Sequence, residues 1–546
     1  MSGAGSADHY DYIVAGGGTA GCVLANRLSA DPRHKVLLVE AGPRDRNPLY
    51  AIPIMGMHLW RWKYNNWSFQ TEPEPGLEGR RIGWPRGRVL GGSSSMNGMI
   101  YTRGAAEDYD RWAQAGMPSW SYDKVLPYFK KLESYEGEPS EYRGTEGPIR
   151  VSRLDQPHPL FDAFVQAGQQ AGLPYNPDFN GKALEGVGRY DTNIAGGQRQ
   201  STARTYLQAA SGRANLDVLT GASIERIVLD GTRATGVVVR TKGGRRTVRA
   251  AREIVLAAGA IGSPMALLHS GIGDSEELAQ AGIQTRHALK GVGRNLQDHL
   301  NITHFYSSAI PDMFYEDARF DRALGMLAQA FLTRSGKGAM VPHNAGAFLK
   351  SDPRLASPDL QIHFLPAGVN SRQVRLPFQR VLGDSPYGIA AHICHLHPES
   401  RGTVSLRSSD PADRPRIQAN YLTAAADKIA MRAGFRFLEK LFAQPAFQEV
   451  TGQRLAPPDR PFTDDEVDSW LRENASTVYH PVGTCKMGTD AMAVVDERLR
   501  VHGLTGLRVA DAAIMPTLVS ANTHAPTVMI AEKAADMMIE DRADQA

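Results

Sequence analysis

A glycine-rich turn near the N-terminus constrains the fold of this chain more than any other feature. Residues 12–15 form a short apolar segment, and Gly16, Gly18 and Gly21 then follow the spacing G-x-G-x-x-G ahead of a helical pattern. In a β-α-β unit, the first glycine makes the tight turn, the second admits a pyrophosphate and the third lets the helix pack on the strand. The sequence therefore predicts that a dinucleotide binds at the N-terminus of this helix.

An acidic residue closes the second apolar segment, residues 36–40. Glu40 offers a carboxylate that accepts hydrogen bonds from ribose hydroxyls and repels a 2′-phosphate, so FAD or NAD is expected and NADP is not. Two later segments favour FAD over NAD. Residues 253–260 have the pattern of a buried strand that ends in small residues, and residues 506–511 have that of a strand ending at Asp511. A plain NAD dehydrogenase needs no such late element.

Composition narrows the class of protein. The net charge is only +3 over 546 residues and no block of lysine or arginine stands out, so a nucleic-acid-binding protein is not indicated. Cys22, Cys394 and Cys485 are too few and too far apart for a disulfide framework, and they suit a reducing compartment. The polar N-terminus lacks the pattern of a signal peptide, and no apolar run approaches the ~20 residues of a membrane span. The sequence predicts a cytoplasmic protein with small-molecule partners and leaves peripheral membrane attachment open.

The strand and helix patterns predict a discontinuous arrangement of domains. Residues 216–220, 226–229 and 235–240 alternate and turn like a small antiparallel sheet. Strand-like residues 360–365 and 388–394 precede a helical pattern at 428–442, which together indicate a mixed sheet with helices behind it. The predicted fold is α/β, α+β overall, with a Rossmann-like FAD-binding domain and an inserted mixed-sheet substrate-binding domain. The FAD-binding domain is assigned 1–155, 205–310 and 475–546, and the substrate-binding domain is assigned 156–204 and 311–474.

Five further segments carry a family resemblance. The glycine- and serine-rich loop at 87–100 resembles the first signature of the glucose-methanol-choline (GMC) oxidoreductases, and residues 259–273 resemble the second. The similarity extends to residues 291–299, 398–402 and 479–488 and so covers nearly the whole chain. It implies a FAD-dependent alcohol dehydrogenase or oxidase, most similar to the choline-dehydrogenase-like branch. Some relatives attach FAD covalently through a histidine just before the asparagine of the first signature. Met96 stands there in this chain, and because a thioether cannot make that bond, the FAD is expected to be non-covalent.

Three residues are the candidates for catalysis. Oxidising an alcohol requires a base for the hydroxyl proton while the α-carbon gives a hydride to flavin N5, and a neutral imidazole suits that task. The resemblance places His480 at this position and Asn522 at the second active-site position, where its amide would hold the substrate oxygen. His524 lies two residues further on and is the reserve candidate if the register is displaced. A helix predicted over 526–536 would direct its positive dipole end at the reduced flavin.

The expected FAD contacts come from these motifs and from the resemblance. They are Gly16, Gly18, Thr19, Ala20, Gly21, Glu40, Ala41, Arg88, Gly91, Gly92, Ser93, Asn97, Gly98, Met99, Ile100, Ile224, Ala258, Gly259, Asp511, Ala512, Asn522 and Thr523. The histidines of segment 392–397 would fall on two faces of a strand, so no metal site is predicted.

The predicted function is oxidation of a primary alcohol to an aldehyde, with electrons passing to oxygen or to a quinone or other carrier. An oxygen-using oxidase of aryl, furanic or choline-type alcohols is one alternative. A non-redox lyase or non-catalytic flavoprotein of the same fold is another, and alcohol-dependent bleaching of the flavin would separate it from an oxidoreductase. A dehydrogenase preferring quinone or dye acceptors is favoured, because the loop after Asn97 supplies no positive group to promote oxygen attack, although a His480 protonated during alcohol oxidation could serve. A hydrolase finds no support, since a G-x-S-x-G elbow is missing.

Overall fold

The computed structural model describes residues 9–154, 156–368, 370–372, 374–376 and 386–543. Its α-helices are α1 (Thr19–Leu28), α2 (Met55–Arg61), α3 (Ala106–Gln114), α4 (Tyr122–Leu132), α5 (Pro159–Gln170), α6 (Gly259–His269), α7 (Ser275–Gln280), α8 (Phe320–Thr333), α9 (Ala425–Phe442), α10 (Pro445–Gln448), α11 (Asp464–Asn474) and α12 (His524–Ala543).

The strands of the two large sheets are β1 (His9–Ala15), β2 (Val36–Glu40), β3 (Gly186–Arg189), β4 (Leu216–Thr220), β5 (Ser223–Asp230), β6 (Arg233–Thr241), β7 (Gly244–Leu256), β8 (Leu300–Ser308), β9 (Ala345–Leu349), β10 (Leu360–Leu365), β11 (Gly388–His395), β12 (Thr451–Ala456), β13 (Ser476–Thr477) and β14 (Leu507–Val509). Short two-stranded ribbons pair Phe69–Gln70 with Gly83–Trp84, Ile100–Tyr101 with Asp191–Thr192, Glu133–Tyr135 with Ile149–Val151, Ile194–Ala195 with Gln198–Arg199, Ile272–Gly273 with His287–Ala288, and Thr403–Ser405 with Arg416–Gln418.

The first sheet carries the predicted nucleotide-binding unit. Its order is β4-β2-β1-β7-β6-β5, with β14 also paired to β7. Strands β4, β2, β1, β7 and β14 are parallel, whereas β5, β6 and β7 form an antiparallel meander. Helices α1 and α12 pack together against this sheet and share its apolar core. The carboxyl ends of the parallel strands therefore lie at one edge, where α/β sheets bind ligands.

The second sheet separates a helix-covered face from a polar one. Its order is β12-β8-β11-β10-β9-β3, with β13 paired to β8, and every described pair is antiparallel. Along β8, Ile302 and His304 are buried in the core under α9, where His304 packs edge-on against Phe435. The alternate residues Thr303 and Phe305 line a cavity on the opposite face.

The predicted fold class is confirmed, but some details were wrong. Strand β4 pairs in parallel with β2, so it belongs to the nucleotide-binding sheet and not to a small antiparallel sheet. The second sheet is antiparallel rather than mixed. Its strands β8 and β13 lie within the ranges 205–310 and 475–546, and the predicted domain limits themselves stay a prediction. Pairing partners distant in the chain decide these assignments, and local patterns do not reveal them. Across the described ranges, no helix combines the length and the apolar character needed to cross a membrane.

Candidate active site

A cavity of about 1230 Å³ lies between the two sheets. It extends from the carboxyl ends of β1, β2 and β7 to the polar face of β8, β10 and β11. Typical small-molecule pockets measure roughly 300–1,000 Å³, so this cavity has room for a dinucleotide together with a substrate. Trp60 and Trp67 also line it, whereas Trp62 is exposed.

The glycine turn opens onto this cavity as the motif predicts. Gly16 has φ +117°, a conformation that favours glycine, and Gly18 lies at the start of α1. A Cβ atom on Gly21 would lie 1.8 Å from the carbonyl oxygen of Gly16, so the third glycine permits close packing of helix and strand. The first-turn amides of α1, at Thr19 and Ala20, border the cavity and offer unpaired donors to a phosphate.

Glu40 is held rigidly at the cavity wall. Its two carboxylate oxygens accept hydrogen bonds from the backbone amides of Gly17 at 3.0 Å and Gly42 at 2.7 Å. Burial raises the pKa of Glu40 to about 7, although these two hydrogen bonds oppose the shift. Each oxygen keeps a second acceptor position, which suits the hydroxyls of a ribose.

Nearly all of the predicted FAD contacts line this cavity. They are Gly16, Gly18, Thr19, Ala20, Glu40, Ala41, Arg88, Gly92, Ser93, Asn97, Gly98, Met99, Ile100, Ile224, Ala258, Gly259, Asp511, Ala512, Asn522 and Thr523. Gly21 and Gly91 are not among the lining residues, and a direct contact of either with FAD stays a prediction. Gly21 lies behind the turn, and Gly91 shapes its loop with φ +84° while its amide donates to the carbonyl of Gly17.

Several groups at the wall fit a bound FAD. A Cβ atom on Gly98 or Gly259 would meet nothing within 4 Å, so both glycines keep the wall open toward the cavity. His524 is buried at the wall with both ring nitrogens unpaired, and Nε2 of His363 is likewise unpaired. Buried polar atoms are normally satisfied, so these side chains are suited to meet a polar ligand.

Backbone geometry fixes the position of His480. The preceding residue, Tyr479, has φ +69°, which is unusual for a bulky residue and typical of functional sites. The His480 amide donates to Asp298 at 2.6 Å, and the hydroxyls of Thr477 and Tyr421 donate to the other oxygen of the same carboxylate. Asp298 thus ties together three chain segments around the imidazole.

Hydrogen bonds also fix the tautomer of His480. Nε2 of His299 lies 3.1 Å from the carbonyl oxygen of Leu396, which can act only as an acceptor, so this nitrogen carries the proton. Nδ1 of His299 is then an acceptor, and Nδ1 of His480, 3.0 Å away, donates to it. The lone pair of His480 is consequently on Nε2, which faces the cavity and the side-chain amide of Asn522.

His480 is neutral in this environment. Burial, followed by the nearby imidazoles of His299 and His363 and the guanidinium of Arg86, lowers the pKa of His480 well below its ordinary value. Burial likewise lowers the pKa of His299 to about 3. The pair is therefore uncharged at neutral pH and can accept a proton through Nε2 of His480.

Asn522 faces this lone pair. Its side-chain oxygen accepts hydrogen bonds from Thr102 and Gln361, both at 3.2 Å, and its backbone amide donates to Thr102 at 3.0 Å. The amide nitrogen Nδ2 is thereby left as a donor, 3.5 Å from Nε2 of His480. His524 lies at the first position of α12, which begins two residues before the predicted start at 526.

Sequence reasoning missed two histidines of this site. His363 lies on β10 and lines the cavity close to Asn522, and burial lowers its pKa to about 4. His299 ends one of the segments that carry the family resemblance, but its contact with His480 joins residues 181 positions apart. The local signal for His363 was an imidazole in a strand segment that is mostly apolar.

Comparison with known proteins agrees with this geometry. The models of the GMC oxidoreductase family match residues 10–301 and 398–531. The chain belongs to the GMC oxidoreductase family. It is a FAD-dependent oxidoreductase that acts on alcohols.

Relatives of this GMC oxidoreductase cover nearly its whole length. An alcohol dehydrogenase [acceptor] of Pseudomonas putida is 42% identical over 97% of this chain and 96% of its own. Human mitochondrial choline dehydrogenase is 41% identical over 98% of this chain and 91% of its own. Among solved structures, pyridoxine 4-oxidase from Mesorbium loti superposes with a TM-score of 0.87 at 31% identity, covering 97% of this chain and 99% of its own.

Proposed function

We propose that this enzyme oxidises a primary alcohol to an aldehyde, with His480 as the base and FAD bound without a covalent link. The observation that carries the proposal is the lone pair on Nε2 of His480, directed at the cavity by the chain of hydrogen bonds through His299 to Leu396. Geometry of this kind matters more than pKa in choosing a base, since the acceptor has to reach the hydroxyl proton.

Three side chains act on the alcohol in this proposal. The hydroxyl group donates its proton to Nε2 of His480, and Nδ2 of Asn522 donates a hydrogen bond to the oxygen as negative charge develops there. His363, with Nε2 unpaired, is a further donor at the same oxygen. Because Thr102 and Gln361 orient the amide of Asn522 beforehand, little reorganisation is needed during the reaction.

The cofactor is expected to lie along the glycine turn, Glu40 and the loop that contains Asn97 and Gly98. When bound there, FAD supplies the acceptor for the two electrons that leave the α-carbon of the alcohol. Met96 is buried at the cavity wall in the position that a histidine would need for covalent attachment, and its thioether cannot form that bond. The FAD is therefore held by non-covalent contacts alone.

The wall next to His363 favours an uncharged alcohol. In the described strands, the face that the antiparallel sheet turns to the cavity carries Asn301, Thr303, Phe305, His363, Leu365 and His392. This face combines apolar surface with neutral hydrogen-bonding groups and offers no carboxylate to a quaternary ammonium. Aliphatic and aromatic primary alcohols are therefore ranked ahead of choline-type substrates.

Acid precipitation of the yellow protein tests how the cofactor is attached. It should leave FAD in the supernatant, and a yellow pellet would contradict non-covalent binding.

The deciding experiment measures flavin bleaching. Anaerobic mixing with aliphatic, aromatic, furanic and quaternary-ammonium alcohols should bleach the flavin with the first two classes most rapidly. His480→Ala should retain FAD but slow bleaching by ~10² or more, the usual contribution of a general base. His502→Ala removes an imidazole outside the cavity wall and should leave the rate unchanged.

The electron acceptor is proposed to be a quinone or another carrier rather than oxygen. Oxygen attack on reduced flavin builds negative charge that a positive group in direct contact stabilises. Gly98, Met99 and Ile100 supply none, and Arg199 lies behind the cavity wall, not at it. Enzyme reduced anaerobically by its best alcohol should reoxidise faster with a soluble quinone than with air-saturated buffer. Faster reoxidation by oxygen would make this protein an oxidase and leave the assignments of His480 and Asn522 intact.

A further inference from the structure

Arg199 is a buried cation directly behind the cavity wall. It ends the ribbon strand Gln198–Arg199 and its side chain is almost fully buried. Its Nη1 atom donates to the carbonyl oxygen of Ser94 at 3.2 Å and to the carbonyl and side-chain oxygens of Asn97 at 2.8 and 2.6 Å. All of these acceptors are neutral, so the guanidinium is hydrogen-bonded but its charge is not balanced.

The rest of the guanidinium has no partner among the described residues. Its Nε and Nη2 atoms are buried without a hydrogen bond, and the ion pairs of the described chain do not include Arg199. Burial and the charge of Arg204 lower the pKa of Arg199 to about 9, so it still carries its charge near neutrality. A buried charge without a counter-ion is costly and is seldom retained without a function.

The surroundings of Arg199 place this charge next to the predicted flavin site. Ser94 and Asn97, its hydrogen-bond acceptors, belong to the loop that forms the cavity wall. His524 lines the same cavity at the first position of α12, and burial together with the charge of Arg199 lowers its pKa to about 4. The N-terminus of α12 adds the positive end of a helix dipole. Arg199 and this helix end therefore reinforce each other at one part of the wall.

We propose that Arg199 is a positioning residue whose positive charge stabilises the negative charge that bound flavin gains on two-electron reduction. Oxidised flavin is neutral, whereas the reduced ring is an anion, so the guanidinium favours the reduced form through the loop at Asn97. The effect is strong because the charge acts in a buried region of low dielectric constant. This inference rests on the proposed function only in that FAD occupies the cavity, and it does not depend on which alcohol is oxidised.

A purely structural role makes a different prediction. If Arg199 serves only to hold the loop through Ser94 and Asn97, any substitution should loosen FAD in proportion to the lost hydrogen bonds. If its charge matters, lysine should preserve the redox properties of the flavin, and a neutral residue should change them even where FAD stays bound. Reduction potential and sulfite affinity separate these cases, because sulfite adds to N5 of oxidised flavin and leaves a negative charge on the ring.

The experiment uses the purified holoenzyme without any alcohol. Flavin content, the dissociation constant for sulfite and the two-electron reduction potential are measured for the wild type and for Arg199→Lys, Arg199→Met and Arg199→Gln. The two neutral variants should bind sulfite about tenfold more weakly or worse, which for a two-electron couple corresponds to a fall of about 30 mV in potential. Arg199→Lys should stay near the wild type. Arg204→Met is the matched control, since Arg204 is partly exposed, faces Asp45 and lies outside the cavity wall.

Two outcomes would overturn the proposal. One is a sulfite affinity and potential in the neutral variants equal to those of the wild type and of Arg199→Lys. The other is loss of FAD from both neutral variants, because Arg199 would then be required by the oxidised, neutral ring. A wild-type protein that holds FAD and binds sulfite but bleaches with none of the alcohols would end the proposed function and leave this test unaffected.

Discussion

Replacing His299 with leucine should remove the hydrogen bond that keeps the lone pair of His480 on Nε2. His299 accepts the Nδ1 proton of His480 at 3.0 Å and is itself oriented by the carbonyl oxygen of Leu396 at 3.1 Å. Without an acceptor, the protonated Nδ1 of His480 would be buried and unpaired, at a cost of about 1–3 kcal/mol. The imidazole avoids this cost by shifting its proton to Nε2, which leaves no base at the cavity.

The expected loss of rate follows from this free energy. About 1.4 kcal/mol corresponds to a factor of ten, so the reactive tautomer and the rate of flavin reduction should fall roughly 10- to 100-fold. Stopped-flow bleaching with saturating alcohol measures this rate directly. The affinity for FAD should not change, because His299 does not line the cavity.

His299→Gln is the control for this prediction. The glutamine oxygen can accept from Nδ1 of His480, and its amide can donate to Leu396, so most of the rate should return. Melting temperatures of both variants would show how much stability is lost when the Leu396 carbonyl oxygen loses its hydrogen bond from residue 299. Bleaching at the wild-type rate in His299→Leu would refute the argument that this hydrogen bond sets the tautomer of His480.

Three further predictions concern the substrate, the cofactor and pH. Asn522→Ala should slow flavin reduction more than His524→Ala, because the Asn522 amide lies 3.5 Å from Nε2 of His480; stopped-flow rates in the opposite order would move the second active-site position to His524. Glu40→Gln should weaken FAD retention at least about tenfold, because an amide cannot accept from both backbone amides as the carboxylate does; unchanged flavin content after gel filtration would contradict this. His304→Phe should make the protein less sensitive to acid. Burial lowers the pKa of His304 to about 3, so between pH ~6.5 and ~3 this imidazole is protonated in the unfolded chain but not in the folded one. The free energy of unfolding therefore falls as the pH drops below about 6.5. At pH ~5 this penalty is about 2 kcal/mol, and a variant whose melting temperature drops between pH ~7 and ~5 as much as that of the wild type would disprove it.

The FAD-binding wall of the cavity could be predicted from local sequence, because its turn and its acidic residue are formed by residues close together in the chain. A tight turn that admits a pyrophosphate needs Gly16 and Gly18 in fixed spacing, and a ribose site needs an acidic residue at the end of the next strand. The structure places these residues and most other predicted FAD contacts on one cavity wall. Gly21 and Gly91 lie beside the wall, where Gly21 permits close backbone packing and Gly91 shapes its turn.

The sequence by itself determined the β-α-β unit, the dinucleotide turn and, through its resemblance to a family, the candidate pair His480 and Asn522. Tertiary structure alone decided that β8 crosses into the second sheet, which brings His299 to His480 across 181 residues. It also brought His363 to the cavity and left Arg199 as an unbalanced charge behind the loop at Asn97. These contacts join segments far apart in the chain. Spacing and periodicity do not predict such contacts, because they reflect only the neighbours that a residue meets within its own strand, helix or turn.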